Sequence, residues 1–144
     1  MIIKYFDLKK IDLNLNKFIL LYGKNEGLKN ESINNLIKNK NEISIYEEKE
    51  ILDNQNIFLD NILSKSLFEQ SKIIVIKRVT DKILKIIEEL KIRNLDDITI
   101  IINSENLEKK SKLRSFFEKD KKLVCVPFYP DNDQTLSKLA YNFL

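Results

Sequence analysis

Five short apolar runs, rich in β-branched residues, alternate along this chain with segments of helical spacing. The runs are Phe18–Tyr22, Glu42–Tyr46, Lys72–Lys77, Asp97–Ile102 and Lys122–Phe128. Three of them are apolar at nearly every position, which is typical of strands buried on both faces. Strands that alternate with helices indicate a parallel sheet. We therefore expect an α/β fold, with a parallel sheet of about five strands and helices on both faces.

Four segments between these runs carry apolar residues at helical spacing. They are Leu28–Lys38; Asp53–Lys65, with a predicted apolar stripe of Ile57, Phe58, Ile62 and Leu63; Thr80–Leu90, with Ile83, Leu84, Ile87 and Leu90 on one face; and Leu107–Lys119, with Leu107, Leu113, Phe116 and Phe117. Thr80 is a suitable N-cap for the third segment. A similar spacing, without a C-cap, continues to the last residue through Leu136, Leu139, Ala140 and Phe143, which predicts that the chain is a fragment of a longer protein.

Histidine is absent and cysteine occurs once, which excludes several kinds of catalytic site, metal site and disulfide. Without histidine there are no His-based triads and none of the usual zinc or non-haem iron sites. A single cysteine excludes an intrachain disulfide, and because Cys125 lies inside an apolar run we expect an inert, buried thiol. The carboxylate pairs Glu47-Glu48, Glu88-Glu89 and Asp96-Asp97 have basic neighbours and read as surface or capping charge. We expect no catalytic residue, no metal site and no cofactor.

The net charge is only +3, from 25 basic and 22 acidic residues, so no strong field for nucleic acid or membrane surfaces is implied. Lys and Arg outnumber acids between Glu108 and Lys122; this stretch could contact a DNA backbone, but a solvated helix face is the commoner reading. No apolar run approaches the ~20 residues that span a bilayer. We expect a soluble, cytoplasmic single domain that has no membrane partner.

The turn after the first strand partly matches the phosphate-loop pattern G-x-x-x-x-G-K-[ST]. Gly23 and Lys29 occupy their places, but Leu28 replaces the second glycine and Asn30 replaces the hydroxyl residue. A leucine side chain obstructs close approach of the backbone to phosphates, and an amide is a poor substitute for the hydroxyl that binds Mg²⁺. An ordinary strand-to-helix turn is the favoured interpretation.

The strand that should end in a metal-binding acid, Ile73–Ile76, ends instead in Lys77-Arg78. Two cations at the position of Mg²⁺ reverse the charge that the site requires. The scaffold therefore resembles a phosphate-loop NTPase of the AAA+ or RecA type whose nucleotide site is degenerate in both halves.

From the first strand onward the chain resembles the N-terminal domain of the delta subunit of bacterial DNA polymerase III, a clamp-loader subunit. The resemblance rests on Phe18–Gly23, on the Asn25-Glu26 turn, on Lys110–Leu113 and on Val126-Pro127-Phe128. Its most specific element is Ser66-Leu67-Phe68, directly after a predicted helix. In that family a Leu-Phe pair at this place inserts into a hydrophobic pocket of the sliding clamp.

The resemblance implies that residues 1–144 are a clamp-binding domain whose family continues into lid and collar domains that this chain lacks. It implies a subunit that helps to open the clamp for loading onto primed DNA, without hydrolysing ATP, inside a DNA-directed DNA polymerase holoenzyme. The implied partners are the sliding clamp (the beta subunit), the gamma or tau and delta-prime subunits, and DNA only indirectly or weakly. The implied clamp-binding residues are Ser66, Leu67 and Phe68.

Two alternatives remain open on the residues alone. One is a nucleotide-binding ATPase domain of the same fold, and the other is a generic α/β protein-binding domain without a clamp partner. Leu67 and Phe68 have a plain reading too, as core residues at a helix end. Their polar neighbours Lys65, Glu69 and Gln70 favour an exposed pair, and aromatic side chains often dominate interfaces.

Overall fold

Five parallel strands form one sheet in the order β2-β3-β4-β1-β5. The strands are β1 Phe18–Gly23, β2 Ile43–Glu47, β3 Lys72–Val79, β4 Ile98–Ser104 and β5 Val124–Phe128. The computed structural model describes residues 1–38, 40, 42–65, 72–93, 95 and 97–128. The predicted α/β class is confirmed. The centre of the sheet is formed by β-branched runs that are apolar on both faces, and β1 and β4 are buried there along almost their whole length.

Helices cover both faces of this sheet, as predicted. They are α1 Glu26–Ile37, α2 Glu48–Asp53, α3 Gln55–Lys65, α4 Leu84–Arg93 and α5 Lys112–Lys119, with a 3-10 helix at Tyr5–Lys10 and a 3-10 turn at Asp81–Ile83. One apolar cluster joins a face of the sheet to α2, α3, α4 and α5, through side chains such as Ile51, Ile62 and Phe117. The second cluster joins the opposite face to α1 and the N-terminal 3-10 helix, through Leu8 and Ile33.

The apolar stripe predicted for α3 is wrong at one position. Phe58, Leu59 and Ile62 form its buried face, whereas the side chain of Ile57 is 60% exposed. At about 100° per residue, Ile57 points about 150° away from the centre of that face. The face of Thr80–Leu90 is confirmed, since Ile83, Ile87 and Leu90 are fully buried.

The last predicted helix is shorter than expected, because α5 begins only at Lys112. Ser111 is its N-cap and accepts a hydrogen bond from the amide of Arg114. Asp81 adds a second cap by accepting bonds from the Ser111 hydroxyl and from the amides of Lys112 and Leu113. Burial tends to raise the pKa of Asp81, but these hydrogen bonds outweigh it and hold that pKa below its ordinary value.

Of the predicted surface or capping charges Glu47 and Glu48, Glu47 is the N-cap of α2, within a capping box, but Glu48 is not a surface charge. Its carboxylate is buried and accepts hydrogen bonds from the amide and the hydroxyl of Thr80, at 2.8 and 2.9–3.0 Å. Thr80 in turn accepts a bond from the amide of Lys82 and so caps the 3-10 turn, as the sequence predicted for an N-cap. This chain of bonds ties the start of α2 to the end of β3.

Cys125 lies fully buried in β5, and burial raises the pKa of its thiol to about 12. The prediction of an inert thiol is confirmed, because the thiolate is the reactive form. Within the part of the chain that the structure describes, the helices are too short or too polar for any of them to cross a membrane.

Candidate functional site

The residues of the degenerate nucleotide motifs meet at the carboxyl edge of the sheet. A cleft of about 280 Å³ there is lined by Asn30 from α1, by Lys77 and Arg78 from β3, by Asn103 and Ser104 from β4, and by the three acids Glu26, Glu47 and Glu105. In open parallel sheets this edge is where ligands bind. The structure thus brings Asn30, Lys77 and Arg78 together, as the motifs predicted.

Gly23 ends β1 with a backbone φ of +128°, a conformation that residues with a Cβ rarely adopt. A Cβ atom at this position would lie 1.8 Å from the carbonyl oxygen of Phe128 in the neighbouring strand β5. The first glycine of the apparent phosphate loop is therefore required by the pairing of β1 with β5, independently of any phosphate.

Lys29, at the position of a phosphate-binding lysine, is fully buried in α1. Its Nζ atom lies 2.5 Å from Oε1 of Glu26 and 2.6 Å from the carbonyl oxygen of Ser104 at the end of β4. Buried charge is tolerated in proteins when it is paired and hydrogen-bonded in this way. Because both partners belong to this chain, the ammonium group is directed into the protein and stabilises the contact between α1 and β4.

Leu28 does not obstruct the cleft as the sequence suggested. Its side chain is half-buried and packs against the second apolar cluster, about 100° around α1 from Lys29. The helix N-terminus itself is capped by Asn25, whose side-chain oxygen accepts the amide of Leu28 at 3.2 Å. The local sequence therefore completes a helix start with its own side chains.

The end of β3 carries positive charge where a metal-binding acid would be needed. The register of β3 against β4 shifts between Ile76 and Val79, and Arg78 takes the left-handed conformation with φ +54°. The guanidinium group of Arg78 lies 3.6 Å from Glu47 and is largely exposed. Two of the three acids of the cleft are thus engaged by cations, Glu26 by Lys29 and Glu47 by Arg78, whereas Glu105 is exposed. The described residues hold no group of three side chains suited to a metal ion.

Sequence reasoning missed the polar pair Asn103-Ser104 at the end of β4. The Ser104 hydroxyl donates to the carbonyl oxygen of Val79 at 2.8 Å, which links β4 to β3 beyond the register shift. Asn103 is only 6% exposed and lines the cleft. The sequence feature that could have identified this pair is its position directly after the apolar run Ile98–Ile102, at the edge of the sheet where ligands bind.

The predicted clamp-binding residues Ser66, Leu67 and Phe68 lie outside the described residues. The chain leaves the described part at Lys65, the last residue of α3, and re-enters it at Lys72, the first residue of β3. The amide of Lys72 donates to the carbonyl oxygen of Asp97 at 2.8 Å, so this re-entry point is next to the start of β4.

No protein-family model and no curated protein matches this chain. Among solved structures, one of C. elegans PCH-2 resembles it with a TM-score of 0.48 and 16% sequence identity. The match covers 96% of this chain and 44% of that one, so the chain spans less than half the length of that structure.

Proposed function

We propose that this chain is a non-hydrolysing, clamp-loader-type domain, similar to the N-terminal domain of a DNA polymerase III delta subunit. Its role is to bind a ring-shaped sliding clamp and to help to open it for loading onto primed DNA. The observation that carries the proposal is the internal ion pair of Lys29. Together with Lys77 and Arg78 at the metal position, it leaves a nucleotide-type scaffold without the groups that bind phosphate and Mg²⁺.

The contact with the clamp is proposed for Ser66, Leu67 and Phe68. The buried face of α3 is already complete with Phe58, Leu59 and Ile62, so the packing of this helix does not require a further apolar pair. A leucine and a phenylalanine side chain each contribute about 1.5–3 kcal/mol when they are buried in a partner's pocket. Two such side chains are enough to dominate an interface.

In this proposal the motion that opens the clamp is driven by ATP on partner subunits. This chain binds the open ring more tightly than the closed ring, and so shifts the equilibrium towards the open ring. The basic stretch Glu108–Lys122 is a lesser part of the proposal. Arg114 is engaged by Glu118 and by the carbonyl oxygen of Leu107, and Lys110 is paired with Glu108 at 3.4 Å. Lys109 and Lys112 are exposed and available to a DNA backbone.

The double substitution Leu67→Ala/Phe68→Ala is expected to weaken binding to the sliding clamp of the same organism by at least about a hundredfold. Calorimetry with the full chain measures the affinity. Ile57→Ala is the matched control, because it removes an aliphatic side chain that α3 exposes to 60%, and it should bind like the parent. Circular dichroism confirms that each variant is folded.

Two outcomes separate the parts of this proposal. If the folded double variant binds the clamp as well as the parent does, the clamp does not bind at Leu67 and Phe68. A parent chain that does not bind an active clamp would remove the clamp-loader role altogether, and would favour a different protein-binding function.

A further inference from the structure

The two outer strands of the sheet, β5 and β2, differ in how their free edges are covered. Along β5, the amide of Ile3 donates to the carbonyl oxygen of Cys125 at 3.0 Å, and the amide of Cys125 donates to that of Met1 at 2.8 Å. Pro127, the next residue of β5 on this side, has no amide hydrogen to offer. The chain therefore closes this edge with its own N-terminal residues and a proline.

The opposite edge, formed by β2, keeps backbone groups directed outwards. The carbonyl oxygen of Glu42 accepts a hydrogen bond from an amide of β3 at 2.8 Å. Because alternate residues of a strand direct their backbone polar groups to opposite sides, those of Ile43 and Ile45 are directed away from β3. The amide of Glu47, the next residue on that side, is bonded to Oε1 of Glu50 at 3.2 Å. Two residues of β2 thus each offer an N–H and a C=O group to a further strand.

The centre of this edge is apolar and its two ends differ in charge. Ile45 is 56% exposed, and Ile43, which points to the same face of the sheet, packs against the second apolar cluster. Residues 38–42, before the strand, carry two lysines and one glutamate, whereas residues 47–50, at its end, carry three glutamates and one lysine. A strand edge of this kind is a template for pairing with another chain.

A second copy of this chain fits the edge in one register. With a twofold axis at Ser44, antiparallel pairing places Ile43 of each copy opposite Ile45 of the other, and each such pair exchanges two N–H···O=C bonds. An axis at Ile45 would instead oppose Ile43 to Glu47, whose amide is already bonded. An axis at Ile43 would oppose Ile45 to a residue before the strand. The axis at Ser44 therefore uses every outward group of Ile43 and Ile45.

We propose that β2 pairs with β2 of a second copy and joins the two five-stranded sheets into one. The isoleucine side chains of both copies pack together on the face that α1 covers. The basic segment before each strand then meets the acidic end of the other, which favours the antiparallel orientation. One short strand buries less area than a standard interface, so the dimer is weak and dissociates on dilution. This proposal is independent of the clamp-binding function.

A disulfide across the twofold axis tests this register in the full chain. The two Ser44 residues form a non-hydrogen-bonded pair, with Cα atoms about 4.5 Å apart, a distance that a disulfide spans. With glutathione disulfide as oxidant, two Ser44→Cys thiols give one intermolecular disulfide and two molecules of glutathione. The native Cys125 is fully buried and stays reduced.

The matched control for the cross-link is Ile92→Cys, at a position on α4 that is 83% exposed. On non-reducing gels, we expect covalent dimer to form at least about tenfold faster for Ser44→Cys than for Ile92→Cys, because pairing holds the thiols together. This result is expected although position 44 is the less exposed of the two. Equal rates for the two variants would overturn the proposal.

Ile45→Pro tests the backbone bonds themselves. It removes one outward N–H group and keeps the bonds between β2 and β3, which belong to the neighbouring residues. Sedimentation of the full chain up to about 1 mM should show a concentration-dependent dimer for the parent and for Ile45→Val, but only monomer for Ile45→Pro. Circular dichroism checks the fold of each variant. A parent that stays monomeric over this range would contradict the proposal, as would a dimer that Ile45→Pro leaves intact.

Discussion

Gly23→Ala is expected to lower the free energy of unfolding by about 3–5 kcal/mol, a large part of the stability of a domain of this size. The methyl group would have to share space with the carbonyl oxygen of Phe128, at 1.8 Å, and the backbone would have to keep a φ of +128°. The clash is with backbone rather than with a flexible side chain, so β1 and β5 must separate to relieve it. Urea unfolding followed by circular dichroism measures the change.

Gly27→Ala is the matched control for that experiment. A Cβ atom at Gly27 meets nothing within 4 Å, and the residue lies in the first turn of α1. Alanine is the better helix former by about 0.5–1 kcal/mol, so this variant should be slightly more stable than the parent. If Gly23→Ala were as stable as the parent, the close pairing of β1 with β5 at this residue would be wrong.

Lys29→Ala is expected to destabilise the chain by about 2–4 kcal/mol, although the residue stands where a phosphate loop has its functional lysine. The truncation leaves a cavity between α1 and β4 and deprives the Ser104 carbonyl oxygen of its bond to Nζ, 2.6 Å long in the parent. Lys24→Ala, at an exposed lysine just before α1, should stay within about 0.5 kcal/mol of the parent.

Lys29→Met sharpens this comparison because it keeps most of the volume and removes the charge. The side chain of Glu26 is 58% exposed, so water can solvate its carboxylate when the lysine is gone. Removing one partner of a buried ion pair is costly when the other charge stays buried, and close to neutral replacement by apolar side chains is common when no buried charge remains. We therefore expect Lys29→Met to recover much of the stability that Lys29→Ala loses. Equal stability of Lys29→Ala and Lys24→Ala in urea would show that the ammonium group is not part of the core.

The sheet could be predicted from the sequence because its strands are continuous β-branched runs. Runs of this kind identify buried strands without any long-range information, and all five strands lie within two residues of their predicted bounds. The separate helix α2 was missed, since Glu48–Asp53 is short and its start depends on a capping box between Glu47 and Glu50. The start of the predicted helix Leu107–Lys119 was wrong because Asp81, distant in sequence, helps to fix where α5 begins.

The candidate site was predicted in part. Pattern matching located Gly23, Lys29, Asn30, Lys77 and Arg78, since strand ends follow directly from the strand assignment. It gave no account of what these residues contact. The partner of Lys29 at Ser104 is 75 residues away in sequence, and the role of Gly23 depends on β5, so neither follows from local spacing. The burial of Asn103 likewise depends on neighbouring strands.

A calorimetric titration of the full chain with ATP and Mg²⁺ tests most directly whether the nucleotide-type cleft has lost its chemistry. With Lys29 bonded internally and Lys77-Arg78 at the metal position, the account predicts no binding at millimolar nucleotide, with or without Mg²⁺. Micromolar affinity that requires Mg²⁺ would contradict it, because such binding needs a free lysine and a metal-holding acid. That result would make the chain a nucleotide-binding domain.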